Sequence, residues 1–503
     1  MICLELTGAT LRENLTLLQS HTDFVDMAEL RTDLLTTDER AAIAGFPGQV
    51  EQALGRPLGR ALPLICTVRR ASDGGSYVGS ESERLRLLEE GITAGFAYVD
   101  LESDLRASPA GRAIGEHARA VGCEIIRSMH DPVGQPADPA AVMRRLSDDG
   151  REIARLAVTP RSTADLVVLL EAADNTRDVR KILIGMGPHG IPTRILSRRF
   201  GSLLTCVSDP GAAQGARGHI GAADLVTLYR FRDITPDTRL FGIIGFPIAH
   251  SRSPQYHNRR FAADQLNARY LPILVDDVQA FFDLADRLPF HGVSVTMPHK
   301  EAVLPFLADV DTGTTAAGSC NTFVRRTPGA EPPGWFGVNT DVPGFLSPLR
   351  EAFGEVPAGT GVTVIGAGGA ARAVVYALLQ EGARVLVVNR SVRRAAGLVS
   401  DLQPFVSGRG DIAWVSLTPD TDLTGYRDVI VQTTNVGMRG AGDPAQWLRF
   451  DGSELVYDIV YTPPETPFIV RARSAGCRTV TGDRMFDAQA DAQYRLFSRL
   501  AVS

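Results

Sequence analysis

Lysine is nearly missing from this chain: Lys181 and Lys300 are its only two among 503 residues, although Lys and Arg together number 52. Arginine replaces lysine well on a solvated surface, but its guanidinium stays protonated and neither shuttles a proton nor forms an imine. A lysine kept against that background points to chemistry. The six cysteines lack CxxC spacing, so neither a metal site nor a disulfide framework is expected, and reduced thiols fit the cytoplasm. No basic block or aromatic-basic stripe interrupts a formal charge of −6, which argues against nucleic acid as a partner. No apolar run has membrane-spanning length, and the opening Met-Ile-Cys-Leu-Glu-Leu is no signal segment, so no membrane partner is expected. Small molecules are the expected partners. The sequence shows no interface and leaves the oligomeric state open.

What is present is rhythm. Eight short apolar runs, Ile2–Leu6, Phe24–Leu30, Leu62–Val68, Phe96–Leu101, Glu124–Met129, Ile153–Val158, Ile182–Met186 and Leu203–Val207, are each separated by room for a helix. Eight such units predict a (β/α)8 barrel over 1–228, whose strand C-terminal ends carry the active site. Glu29, Arg31, Arg69, His130 and Arg155 fall at or near those ends. The stretch Leu228 to Arg239 loses the rhythm and reads as a connector. A second α/β domain is expected over 240–345, completed by a C-terminal helix within 483–503, and a third over 346–482.

That third domain opens on strand-like Val362–Ile365, then Gly366, Ala367, Gly368, Gly369 and Ala370, then apolar Ala373–Leu379. Glycines between a strand and a helix let the backbone approach a pyrophosphate, whose charge the helix N-terminus meets. A second strand, Val385–Val388, follows at the spacing of a Rossmann βαβ unit. It ends in Asn389, Arg390 and Ser391, with Arg393 and Arg394 beyond, where an enzyme of unphosphorylated cofactor usually has an acidic residue. Arginine there favours a 2′-phosphate, hence NADP over NAD.

Four further segments carry reactive side chains: Ser251-Arg-Ser253-Pro254, Ser294-Val-Thr296-Met-Pro-His-Lys300, Gly318-Ser-Cys-Asn321-Thr322 and Gly337-Val-Asn-Thr-Asp341. With Asp458-Ile-Val-Tyr461 and Gly482-Asp-Arg-Met485-Phe-Asp-Ala-Gln489, this set resembles shikimate dehydrogenase from about Leu240 onward. The resemblance implies a two-domain α/β dehydrogenase with a Rossmann NADP-binding domain. It implies that Ser251, Ser253, Thr296, Asn321, Asp341 and Gln489 hold the hydroxyls and carboxylate of shikimate, with Tyr461 nearby. Lys300 and Asp341 would be the catalytic pair, Lys300 giving a proton to the ketone oxygen as hydride arrives. Ser294 and the Phe486-Asp487-Ala488 stretch depart from the family pattern and bear on shikimate against quinate; Ser253 and Thr296 lean toward shikimate.

The first half resembles type I 3-dehydroquinate dehydratase, and the fusion order resembles the plant bifunctional enzymes. Glu29-Leu-Arg31, Thr67-Val-Arg69, Ser128-Met-His130-Asp131 and Arg194 match substrate-binding and general-base positions. That family's mechanism needs a lysine whose amine condenses with the substrate ketone. Here the matching position, in Ile153-Ala-Arg155-Leu-Ala-Val, is arginine. Gly215-Ala-Arg217-Gly-His219 replaces a substrate-contacting loop, and Asp73 stands for a longer Glu. The expectation is that Schiff-base dehydration is lost or severely weakened, against three alternatives: a fully bifunctional enzyme, a quinate dehydrogenase whose barrel only binds or scaffolds, or a barrel in which His130 and the arginines still catalyse without an imine.

Overall fold

The computed structural model describes residues 1–55, 62–148, 150–208, 220–249, 251–326, 329, 331–438, 440 and 442–502. Its first eight strands are β1 (Ile2–Leu6), β2 (Met27–Arg31), β3 (Leu64–Thr67), β4 (Tyr98–Glu102), β5 (Glu124–Asp131), β6 (Ile153–Val158), β7 (Lys181–Gly185) and β8 (Thr205–Val207). They form one parallel sheet in the order β7-β6-β5-β4-β3-β2-β1-β8. Lys181 bridges Ser202, and the Leu203 N–H donates to the Lys181 carbonyl at 2.7 Å, drawing the sheet into a nearly closed barrel. Each strand overlaps one of the eight apolar runs, because a parallel strand covered on both faces has no polar side to present. The barrel interior is one buried cluster that includes Cys3, Met27, Ile65, Ile126, Ile153 and Cys206. Local signals start the helices: Thr10 with Glu13 and Ser80 with Glu83 form reciprocal capping boxes at helices Leu11–His21 and Glu81–Thr93.

Lys181 has a structural duty. Its side chain is fully buried at the start of β7, and Nζ donates to the carbonyls of Ala173 at 2.8 Å and Thr176 at 2.6 Å. These are carbonyls at the C-terminal end of helix Thr163–Asn175, which lack intrahelical donors.

The rest of the chain supplies β9 (Arg239–Gly245), β10 (Ala268–Leu274), β11 (Phe290–Val295), β12 (Asp309–Val310), β13 (Thr322–Arg325) and β14 (Trp335–Val338). Residues 1–239, 248–258 and 267–289 make one compact unit; 240–247, 259–266 and 290–503 make the other. In the first, Arg269 beside β10 donates to the carbonyls of Tyr229 and Arg230 in the connector, and Asp276 accepts from the Thr163 N–H and hydroxyl at 2.8 and 2.6 Å. In the second, β9 runs parallel to β11, which pairs antiparallel with β13, followed by β14 and β12.

The second unit also holds β15 (Gly361–Ile365), β16 (Arg384–Asn389), β17 (Asp411–Ser416), β18 (Val429–Gln432), β19 (Leu455–Asp458) and β20 (Arg478–Val480). They form a wholly parallel sheet in the order β17-β16-β15-β18-β19-β20. The order reverses between β15 and β18, which opens the crevice where such Rossmann sheets take dinucleotides. The last helix, Gly482–Val502, packs back on β11 and on helix Asp341–Phe353. Two glycines permit this approach: a Cβ on Gly292 would lie 2.5 Å from the Phe497 ring, and one on Gly344 2.5 Å from Gln489 Cβ. Among the described residues, no helix is long and apolar enough to cross a membrane.

Lys181→Met removes one hydrogen bond from each of two carbonyls that keep a second donor, Thr176 from the Val179 N–H and Ala173 from the Thr176 hydroxyl, at a cost of about 1–2 kcal/mol, and thermal melts should register the loss. Burial lowers the Lys181 pKa from 10.5 to about 8 in the folded protein. The unfolded chain therefore binds more protons between those values, so this group adds stability as pH rises through that window. Melts at pH 7.5 and 10 should show that increment in the parent protein and not in the Met variant.

Candidate active sites

Lys300 stands beyond the C-terminal end of β11, where the Thr296 N–H donates to the Ile244 carbonyl and the chain turns through Met297, Pro298 and His299. Its Nζ donates to Asp341 Oδ2 at 2.6 Å; the lysine side chain is 24% exposed and the aspartate 10%. Asp341 opens helix Asp341–Phe353, whose N-terminal dipole favours a carboxylate. Asn321 Nδ2 donates to Asp341 Oδ1 at 2.7 Å and to Gln489 Oε1 at 3.4 Å. Four residues separated by up to 189 positions, Lys300, Asn321, Asp341 and Gln489, thus form one hydrogen-bonded group with the ammonium at its exposed end. Tyr461 packs its ring 5.3 Å from that of Phe486, on the helix that carries Gln489. Thr296 is half-buried at the turn before Lys300. Ser251 and Ser253 belong to the other compact unit, where Ser253 begins helix Ser253–Ala263 and its N–H donates to Ser251 Oγ at 3.3 Å.

At the Rossmann crevice, Gly366 has φ 121° and would place a Cβ 2.4 Å from Thr433 Oγ1, so only glycine fits. A Cβ on Gly368 or Gly369 would meet nothing within 4 Å. The loop therefore combines one glycine required by backbone packing with an open approach to the start of helix Gly369–Gln380. Ala367 and Ala370 flank that approach. Asn389 Nδ2 donates to the Ser391 carbonyl at 3.0 Å, and Ser391 Oγ accepts from the Arg394 N–H at 3.5 Å. Arg390, Arg393 and Arg394 are exposed, and none has a carboxylate partner among the described residues. These groups fit a phosphorylated dinucleotide.

The barrel mouth encloses about 220 Å³, lined among others by Glu29, Arg31, Arg69, His130, Arg155 and Arg194. Arg155 is buried, and its two terminal nitrogens donate to Glu29 Oε1 and Oε2 at 2.8 and 2.9 Å; one also donates to Asp100 Oδ2 at 3.0 Å. Burial alone would raise the Glu29 carboxyl, but the Arg155 charge and hydrogen bonds outweigh it and hold Glu29 below its usual range. Burial likewise opposes ionisation of Asp100, and Arg69 and Arg155 together reverse the balance. Arg69 reaches Glu102, Ser128 and Asp100 at 2.8 to 3.0 Å. Arg31 pairs with Asp33, and Asp73 accepts from Arg70 at 2.7 Å. Arg194, also buried, donates to the carbonyls of Gly185 and Cys206. Burial, then the charges of Arg69 and Arg155, push the His130 pKa well below 6.5, so its imidazole is neutral at ordinary pH.

Cys206 and Glu5 were not singled out from the sequence. Both lie by Glu29, and the donor atoms of Glu5, Glu29 and Cys206 fall within 4.8 Å of one another. The Arg155 guanidinium, hydrogen-bonded to Glu29 and 3.7 Å from Cys206 Sγ, already supplies a cation there. The only early signal was their placement on barrel strands adjoining one another. The loop Gly215 to His219 lies outside the described residues.

Comparison with known proteins matches residues 2–236 to the type I 3-dehydroquinase family. Residues 243–323 match the shikimate dehydrogenase substrate binding domain, and 350–416 the shikimate / quinate 5-dehydrogenase family. A chloroplastic bifunctional 3-dehydroquinate dehydratase/shikimate dehydrogenase of Arabidopsis thaliana is 32% identical over 463 residues, covering 87% of this chain and 73% of that protein. A shikimate dehydrogenase (NADP(+)) of Carboxydothermus hydrogenoformans is 40% identical over 257 residues, covering 50% of this chain and 88% of its own.

In a histidine-resolved NMR titration, His130 should remain neutral through pH 6.5 and titrate only well below it. A midpoint at or above 6.5 would contradict the burial of this imidazole near two cations.

Proposed function

The chain belongs to the family of bifunctional 3-dehydroquinate dehydratase/shikimate dehydrogenases, and on that premise we propose that its C-terminal half is an NADPH-dependent shikimate dehydrogenase while its barrel has lost Schiff-base dehydration. The reductase reading rests on the Lys300 ammonium held 2.6 Å from Asp341. NADPH, when bound, supplies hydride to the ketone carbon of 3-dehydroshikimate. As charge grows on the ketone oxygen, Lys300 donates a proton to it, leaving the hydroxyl of shikimate and a neutral amine that solvent reprotonates. Asp341 fixes the position of Nζ for that transfer, and a placed acid contributes about 10²–10⁴-fold.

Ser251, Ser253, Thr296, Gln489 and Tyr461 supply neutral groups suited to a small polyhydroxylated acid. The glycine loop receives the pyrophosphate. Arg390 and Arg394, with Asn389 and Ser391, would hold the adenosine 2′-phosphate, and their lack of acidic partners among the described residues supports NADP over NAD. In the barrel, the position of the imine-forming lysine is Arg155. A guanidinium is a very poor nucleophile, and this one is further committed to Glu29 and Asp100. Neutral His130 retains the state of a base but faces no iminium whose neighbouring C–H has been acidified.

Lys300→Ala should cut 3-dehydroshikimate-dependent NADPH oxidation by about 10²–10⁴-fold while NADPH binding, read by fluorescence, is kept; near-normal turnover would remove Lys300 as proton donor. Borohydride added with 3-dehydroquinate should leave the mass of the protein unchanged, and a trapped adduct would restore the imine route.

A further inference from the structure

Gln493 lies one helical turn beyond Gln489 on the last helix, so the two share a face. It is 2% exposed, and its Nε2 donates to Thr322 Oγ1 at 2.9 Å and to Gln489 Oε1 at 3.3 Å. The direction of this network follows from one atom. A backbone N–H can only donate, and the Thr340 N–H donates to Asn321 Oδ1 at 2.7 Å. The Asn321 oxygen is therefore turned to Thr340, where Thr322 Oγ1 also donates to it at 3.0 Å. Asn321 Nδ2 must then face Asp341 and Gln489, which puts the Gln489 oxygen inward. Thr322, having donated to Asn321, accepts from Gln493, whose amide nitrogen is thereby fixed and supplies the second donor to Gln489 Oε1.

We infer that Gln493 is a positioning residue for shikimate binding: with Asn321 it turns the Gln489 oxygen inward, so that half-buried Gln489 presents its amide NH2 to a hydroxyl or carboxylate oxygen of the substrate. Placement of the Lys300–Asp341 pair and polarity of the substrate contact are thus set by one connected group. This inference rests on the shikimate dehydrogenase reading.

The test uses the full chain, with shikimate and NADP as the probes. Gln493→Glu is close to isosteric but offers an acceptor where the network needs a donor, and Gln493→Met removes the donor. Both should raise the KM for shikimate about tenfold, the scale of one uncharged hydrogen bond, with the KM for NADP little changed. A double-mutant cycle of Gln493→Met with Gln489→Leu should be non-additive in shikimate KM, because the first acts through the second. An unchanged shikimate KM in both variants, an equal rise in both KM values, or an additive cycle would overturn the inference. Lack of shikimate oxidation by the parent protein would instead overturn the underlying reading.

Discussion

The hydrogen bond from Lys300 Nζ to Asp341 Oδ2 organises the second half of this protein. The Lys300 ammonium has one close carboxylate and stays 24% exposed. Asp341 meets it from the first turn of a helix, with its other oxygen bound by Asn321. Asn321 is itself anchored by a backbone N–H, so the geometry at Nζ is inherited from the strand-to-helix framework. The last helix closes this framework because Gly292 and Gly344 leave room for Phe497 and Gln489.

The barrel solves the same electrostatic problem with the opposite outcome. Its interior keeps the carboxylates of Glu29 and Asp100 buried, and some cation has to meet them. Arg155 does so bidentately, a geometry that a lysine cannot offer. Removing one partner of such a buried pair generally costs about 3–5 kcal/mol, so the arginine is now tied into the stability of the barrel. Burial and the same cations hold His130 neutral.

Much of the fold was legible locally. The eight barrel strands, the glycine turn before helix Gly369–Gln380 and the C-terminal helix follow from apolar period, capping residues and glycine placement, which act over a few residues. Lys181 was legible only in its place at the start of β7. Its capping of helix Thr163–Asn175 depends on the fold of β7 against that helix. The connector after Leu228 could be recognised as irregular, but its fastening by Arg269 could not, since that side chain arrives from 39 positions away. Glu5 and Cys206 looked like ordinary strand residues until barrel pairing set them beside Glu29.

The sequence by itself determined the covalent chemistry available: one lysine at the end of a strand in the second half, and a guanidinium at residue 155 in the first. No environment turns the latter into a good nucleophile. Tertiary structure alone decided that Arg155 meets Glu29 and Asp100, and that Asn321 bridges Asp341 and Gln489. Those outcomes depend on hydrogen bonds a few ångströms long between residues as far apart as 126 and 168 positions, a proximity that no local spacing encodes.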